Sequence, residues 1–273
     1  QGSTGGNNNT SYVPNGEACS TDEQCVERCI VGVCAPPSVA LGPCDDDNDC
    51  LDPVLACGGS RCVDPNCTPG SQVLTIANTL DDGEIDVGFA EEYFPDGESC
   101  CGGNRVFAGH NTTAPPVGPV WTFFRFPVAE PIPLGATVFD ARLSLWALTL
   151  FDWTEQSALR IRVEDAADAE QVTGAADAPH LVGGRALTSK EIRWPSSGGL
   201  VPTLDAYNET PELAALLQPL LDASGGLTTG DHLQLWVAGD FDDRDGELGF
   251  EDSSHPDDHP ATLTVSWTCP GEP

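Results

Sequence analysis

Apolar and polar residues alternate with a period of two along much of the chain after about residue 68. The segments 159–163, 233–237 and 263–267 each place an apolar residue at every second position. This pattern predicts antiparallel strands with one face on a core and the other toward solvent. Further strands are predicted near residues 72–77, 105–108, 120–128 and 138–150.

One segment predicts a helix. Thr210, Pro211 and Glu212 supply an N-cap, a proline at the first helical position and an acid in the first turn. An apolar stripe at helical spacing follows, made of Leu213, Leu216, Leu217, Leu220 and Leu221. Gly225 is a stop signal, and Pro219 indicates a kink or an early end. Many strands with one helix predict a mainly β protein, a jelly-roll-like antiparallel β-sandwich.

Two cysteine-rich modules precede this domain, and they contain Cys19, Cys25, Cys29 and Cys34 in the first set and Cys44, Cys50, Cys57 and Cys62 in the second. Modules of this size bury little apolar surface, so we expect disulfides to hold them. The four cysteines of each set allow three pairings. Close C-x2-C pairs are absent, which disfavours zinc. The predicted organisation is a polar tail at 1–18, the tandem modules at 19–67 and the β-sandwich at 68–273.

The chain is strongly acidic, with a formal net charge of -32. Such a charge repels nucleic acid and anionic lipid, and it attracts calcium, cationic surfaces and basic proteins. The favoured interpretation of the charge is that it keeps the protein soluble. No apolar run is long enough to span a membrane. The sequence starts at Gln1 and contains no methionine, so we expect that a signal peptide has been removed. Together with the cysteines, this predicts a secreted or cell-surface protein.

The region 81–268 carries, in order, the stretches DDGEIDVG, FFRFPVAEPIPLGATVFDARLSLWA, LRIRVEDAADAEQ, TPELAALLQPLLD, GDHLQLWVAGD and HPATLTVSW. In order and spacing it resembles a β-sandwich repeat of large secreted bacterial proteins, the DNRLRE and disaggregatase-like domains. The resemblance implies the fold and a place beside enzymes, adhesins and surface proteins, but it implies no catalytic residues. The cysteine spacing at 19–67 is similar to Dickkopf-type repeats, which implies interaction modules.

Four cysteines lie outside the modules, namely Cys67, Cys100, Cys101 and Cys269. The first and last strands of a jelly roll often lie side by side, so we predict that Cys67 pairs with Cys269. Cys100 and Cys101 would then pair with each other. In the alternative, one of these two reaches Cys67 or Cys269.

The densest carboxylate cluster predicts a calcium site, with Asp240, Asp242, Asp243, Asp245 and Glu247 as ligands. Calcium takes six to eight oxygens from closely spaced acids, and a glycine lets the loop turn sharply. The alternative is a solvated turn. The histidines at 255 and 259 are interpreted as part of a surface turn before the last strand.

The six tryptophans and Tyr12, Tyr93 and Tyr207 offer a platform for stacking sugars. Trp146, Trp194 and Trp236 lie on the nominally outward phase of their strands or at strand ends. The alternative is that most of them lie under the helix or the modules. Candidate glycosylation sequons begin at Asn8, Asn9, Asn66, Asn111 and Asn208.

Catalytic signatures are missing from the chain, including G-x-S-x-G, H-E-x-x-H and a Gly-rich phosphate loop, so no enzyme activity is expected. The leading hypothesis is a non-catalytic extracellular structural or adhesive protein, a subunit of a filament or surface assembly that associates with itself or with other surface proteins. The alternative is a calcium-dependent carbohydrate-binding accessory module that binds polysaccharide.

Overall fold

A computed structural model describes residues 28–30, 33–35, 56–58, 61–86, 92–95, 104–111, 118–239 and 246–270. The chain divides into two compact units. The first contains residues 1–68, 133–136 and 269–273, and the second contains residues 69–132 and 137–268.

The first unit contains two short antiparallel pairs. Strand β1 (Arg28–Ile30) pairs with β2 (Val33–Ala35), and β3 (Ala56–Gly58) pairs with β4 (Arg61–Val63). Cys67 and Cys269 form a disulfide with their Cα atoms 5.8 Å apart, as predicted.

The second unit is mainly β. Its strands are β5 (Gly70–Thr75), β6 (Asp82–Asp86), β7 (Glu92–Pro95), β8 (Arg105–Asn111), β9 (Gly118–Pro127), β10 (Thr137–Phe151), β11 (Leu159–Val163), β12 (Ile192–Trp194), β13 (Ala206–Glu209), β14 (His232–Gly239), β15 (Glu247–Glu251) and β16 (Thr262–Thr268). They pair antiparallel in the order β12-β11-β14-β9-β8-β15-β10-β16-β5. Strand β13 adds to β10, and the β6–β7 pair adds to β9.

This antiparallel sheet curls on itself. Trp194 of the edge strand β12 stacks on Phe250 of β15, although four strands separate these two in the pairing order. The Gln72 side chain of the opposite edge strand β5 exchanges two hydrogen bonds with the backbone of Glu130, just after β9. The first and last strands of the unit, β5 and β16, lie side by side. The predicted fold class is therefore confirmed, together with the strand neighbourhood on which the Cys67–Cys269 prediction depended.

The single α-helix of the described residues, α1, begins later than predicted, at Ala214, and ends at Ser224. Thr210 is not its N-cap, because the Thr210 hydroxyl accepts a hydrogen bond from the Leu143 backbone N–H of β10. The leucine stripe is buried, and Gly225 ends the helix in the left-handed conformation, as predicted. Pro219 lies inside the helix, which continues to Ser224 and so does not end early at the proline.

Strand β14 is buried on both faces, whereas its alternation predicted one exposed face. Segment 165–191 covers the second face. Trp236 packs there against Trp121 and Phe123, in a cluster with Val172 and Ala178. The side chains on the two faces of β14 therefore pack into two different apolar layers, one on each side of the strand.

Candidate functional site

The outer face of β10 and its neighbours carries a cluster of aromatic, hydroxyl and carboxylate side chains. Trp146 lies opposite Tyr207 of β13, and Ser144 lies opposite both Glu209 of β13 and Thr262 of β16. Side chains two residues apart in a strand share a face, so all five lie on the same side of the sheet. We call these five residues the aromatic platform.

The platform borders an open cavity of about 640 Å³, lined by Ser144, Tyr207, Glu209 and Thr262. This volume is within the range of about 300–1,000 Å³ that small-ligand sites occupy. Tyr207 is 44% exposed, and Glu209 is also exposed. The arrangement provides an aromatic ring beside two hydroxyl groups and one carboxylate, which can stack on a ligand and hydrogen-bond to it.

The indole ring of Trp146 is packed against two other rings. The His259 ring stacks on it with centroids 3.8 Å apart, and Tyr207 meets it edge-on at 5.2 Å. Glu251, which is buried, accepts hydrogen bonds from the His259 backbone N–H at 2.6 Å and bonds the His259 Nδ1 at 3.1 Å. The same carboxylate lies 3.3 Å from the Nδ1 atom of His255. The histidines form the predicted turn, and a buried acid fixes them there.

The electrostatic environment of the platform is negative. Partial burial, together with the nearby carboxylates of Glu251 and Asp258, raises the pKa of the Tyr207 hydroxyl. Arg142 is the cation on this face of β10, and its Nε donates to Asp140 at 3.0 Å. This hydrogen bond and the charges of Asp140, Glu212 and Glu209 raise the pKa of Arg142.

Of the three tryptophans predicted to stack sugars, only Trp146 belongs to the platform. Trp236 is fully buried, and its indole N–H donates to Glu164. Trp194 is 4% exposed and stacks on Phe250. The outward assignment was therefore wrong for these two, because segment 165–191 and the curl of the sheet cover them. The exposed ring of the platform is Tyr207, one of the three tyrosines named with the tryptophans as candidates.

The predicted calcium ligands Asp240, Asp242, Asp243 and Asp245 lie outside the described residues. Glu247 is described, at the start of β15. Burial and the neighbouring carboxylates of Asp86 and Asp152 raise the pKa of Glu247 to about 7. Within the described ranges, no three His, Cys, Asp or Glu side chains are grouped so as to hold a metal ion.

The structure describes only some of the predicted glycosylation sequons and of the remaining cysteines. Asn66 is exposed, while the side-chain amide of Asn208 donates to Thr203 O and Ala206 O and is therefore occupied. The predicted sequons at Asn8 and Asn9, and the side chain of Asn111, lie outside the described residues. So does the predicted pairing of Cys100 with Cys101. In the modules, Cys57 is disulfide-bonded, and the other seven module cysteines have no described side chain.

Comparisons with known proteins leave the chain unassigned, since neither a protein-family model nor a curated protein matches it. In the described part of the chain, no helix has the length and apolar character needed to cross a membrane.

Proposed function

We propose that this protein is a non-catalytic, extracellular adhesive protein that binds carbohydrate through the aromatic platform. The observation that carries the proposal is the exposed Tyr207 ring, which lies beside Ser144, Glu209 and Thr262 on the rim of one cavity. An amphipathic ring gives a large contact area with a polar edge, and it suits a ligand with one apolar face. A pyranose ring has such a face, and its hydroxyl groups match the polar side chains around Tyr207.

The platform is built on strands rather than on a loop, which favours a binding role. Cross-strand pairs fix Tyr207 against Trp146 and Glu209 against Ser144. The Tyr207 hydroxyl donates to Pro260 O at 3.3 Å, which sets the direction of the ring. Rigid elements that hold their side chains before binding reduce the entropy lost when a ligand is bound.

The test is retention on immobilised polysaccharides and on a glycan array, with Tyr207→Ala as the variant. We expect Tyr207→Ala to lose binding by about tenfold or more, since removing a stacking aromatic at a binding site costs about 1–3 kcal/mol. Phe139→Ala is the matched control, because Phe139 is a 58% exposed aromatic residue of the neighbouring strand β10 and lies outside the platform. Absence of binding across the array, or equal losses in both variants, would contradict the proposal.

Calcium dependence is a separate hypothesis, supported by the run of acids at 240–247 in the sequence and by the negative charges that act on Glu247. Its described neighbours Asp86 and Asp152 repel its negative charge, and a calcium ion would relieve this repulsion. Calcium titration should then raise the melting temperature of the wild type, and Glu247→Gln should reduce this rise. Glu170→Gln, which removes the charge of an exposed glutamate in another loop, is the control. An unchanged melting temperature in the wild type would reject the hypothesis.

A role in a filament or surface assembly is favoured by the edge strand β5. Among the described strands it ends the pairing order, and Ser71, Val73 and Thr75 are exposed along it. An exposed edge strand can pair with a strand of another copy. Electron microscopy with and without a calcium chelator tests this role: regular filaments or sheets support it, and discrete monomers in both conditions contradict it.

A further inference from the structure

The carboxylate of Glu209 distinguishes the aromatic platform from a purely neutral sugar-binding surface. Glu209 and Tyr207 lie two residues apart on the same face of β13, about 7 Å from each other along the strand. Both line the cavity, and Glu209 is exposed. A ligand ring that stacks on Tyr207 therefore reaches the Glu209 carboxylate with a substituent on that ring or on the next one.

The cation of this face does not neutralise Glu209. Arg142 forms its ion pair with Asp140, and no ion pair to Glu209 occurs in the part of the chain that the structure describes. Arg142 is also surrounded by more acids than it can balance, namely Asp140, Glu209 and Glu212. An anionic sugar at the platform would meet net repulsion.

The charges around the platform and on the whole chain are also predominantly negative. After burial, the negative charges of Glu251 and Asp258 are the further causes of the raised pKa of the Tyr207 hydroxyl, so two carboxylates act on this side of the platform. The whole chain carries a net charge of -32. A negative surface attracts cationic ligands and accelerates their association, and an aromatic ring beside a carboxylate also attracts an ammonium group through its π face.

We infer that the platform selects a polysaccharide whose sugars carry free amino groups, as in a deacetylated hexosamine polymer. In this arrangement one pyranose ring stacks on Tyr207, its ammonium group donates to Glu209, and its hydroxyl groups bond to Ser144 and Thr262. The inference rests on the proposed function and adds the class of sugar to it.

Isothermal titration with three short, soluble oligosaccharides tests the inference. The probes are a trimer of β-linked glucosamine, the fully N-acetylated form of the same trimer, and a trimer of galacturonate, at a pH at which the amines are protonated. Short probes limit the non-specific attraction between a polycation and an acidic protein, and a salt series measures what remains. The variants are Glu209→Gln and Tyr207→Ala, with Glu170→Gln as a control that changes the net charge equally.

We expect the glucosamine trimer to bind at least about tenfold more tightly than the acetylated trimer, because a hydrogen bond between two charged groups is stronger than a neutral one. Glu209→Gln should abolish this preference, Tyr207→Ala should weaken both ligands, and Glu170→Gln should change neither. Equal binding of the two trimers, or tighter binding of galacturonate, would overturn the inference and leave the proposed function standing. If none of the three trimers binds and the polysaccharide array is also negative, both fail.

Discussion

The imidazole ring of His259 lies parallel to the indole ring of Trp146, with 3.8 Å between centroids and 5° between planes. The buried carboxylate of Glu251 holds His259 through its backbone N–H and its Nδ1. Because Trp146 in turn contacts Tyr207 edge-on, a chain of contacts links a buried acid to an exposed ring. The position of the Tyr207 ring therefore depends on His259 and Glu251, which do not line the cavity of the platform.

Replacing His259 should weaken this support without unfolding the protein. We expect His259→Ala to lower the free energy of unfolding by about 1–2 kcal/mol, from lost stacking and a lost hydrogen bond to Glu251. A double-mutant cycle with Trp146→Leu, which removes the aromatic ring, followed by denaturant unfolding, should give a coupling energy of about 0.5–1.5 kcal/mol. His232→Ala is the control, since His232 pairs with the exposed Asp168. A coupling energy of zero would show that the ring contact does not stabilise the site.

The Cys67–Cys269 disulfide closes a loop with a sequence separation of 202 residues. In the chain-entropy model, a loop of this length gives about 5 kcal/mol of stabilisation through the unfolded state. We expect the double variant Cys67→Ser/Cys269→Ser to unfold at a clearly lower denaturant concentration than the wild type under oxidising conditions. Equal midpoints would mean that strain or residual structure cancels the effect of loop closure.

The sequence predicted those strands in which apolar residues point to the core and polar residues point to solvent. Strands β11 and β16 show one buried and one half-exposed face, as their alternation indicates. The Cys67–Cys269 pairing also followed from strand order alone. In these cases the local sequence alone indicates which side chains are buried or which strands are neighbours, so no information about contacts with distant residues was needed.

Strand β6 shows why other parts could not be predicted. No strand was predicted over residues 82–86, yet its acids Asp82 and Glu84 are both buried. Glu84 accepts a hydrogen bond from the Phe107 backbone N–H of β8, and Asp82 accepts two from Ser253. The partners lie 23 and 171 residues away. A buried carboxylate that accepts hydrogen bonds from a residue distant in the chain leaves no periodic pattern in the sequence. The packing of segment 165–191 over Trp236 leaves none either.

Glu84 should make the stability of the protein depend on pH. Burial raises the pKa of Glu84 well above its usual 4.5, assisted by Glu247 and Asp86 and opposed by the Phe107 N–H and Arg105. A raised pKa in the folded state means that the stabilising contribution is complete below about pH 4.5 and is lost as the pH rises through the folded value.

Denaturant unfolding across a pH series measures this effect. We expect the free energy of unfolding of the wild type to fall more steeply above pH 4.5 than that of Glu84→Gln, whose side chain cannot ionise but can still accept from Phe107. Glu170→Gln should follow the wild-type profile, since Glu170 is exposed. Parallel profiles for the wild type and Glu84→Gln would show that Glu84 titrates normally in the folded protein.

Gly109 lies where three segments of backbone meet, and this position should not tolerate a side chain. Its φ of 146° is unfavourable for L-residues, and a Cβ atom there would collide with Gly246 O and lie 2.9 Å from the Cα of Glu247. Both contacts are backbone and cannot rotate away, so Gly109→Ala should cost more than about 2 kcal/mol. Gly174→Ala is the matched control, because its backbone is extended and no atom lies within 4 Å of an added Cβ. Denaturant unfolding should therefore separate the two variants, with Gly174→Ala within about 1 kcal/mol of the wild type. Similar stabilities would show that the junction around Gly109 relaxes and does not fix the start of β15.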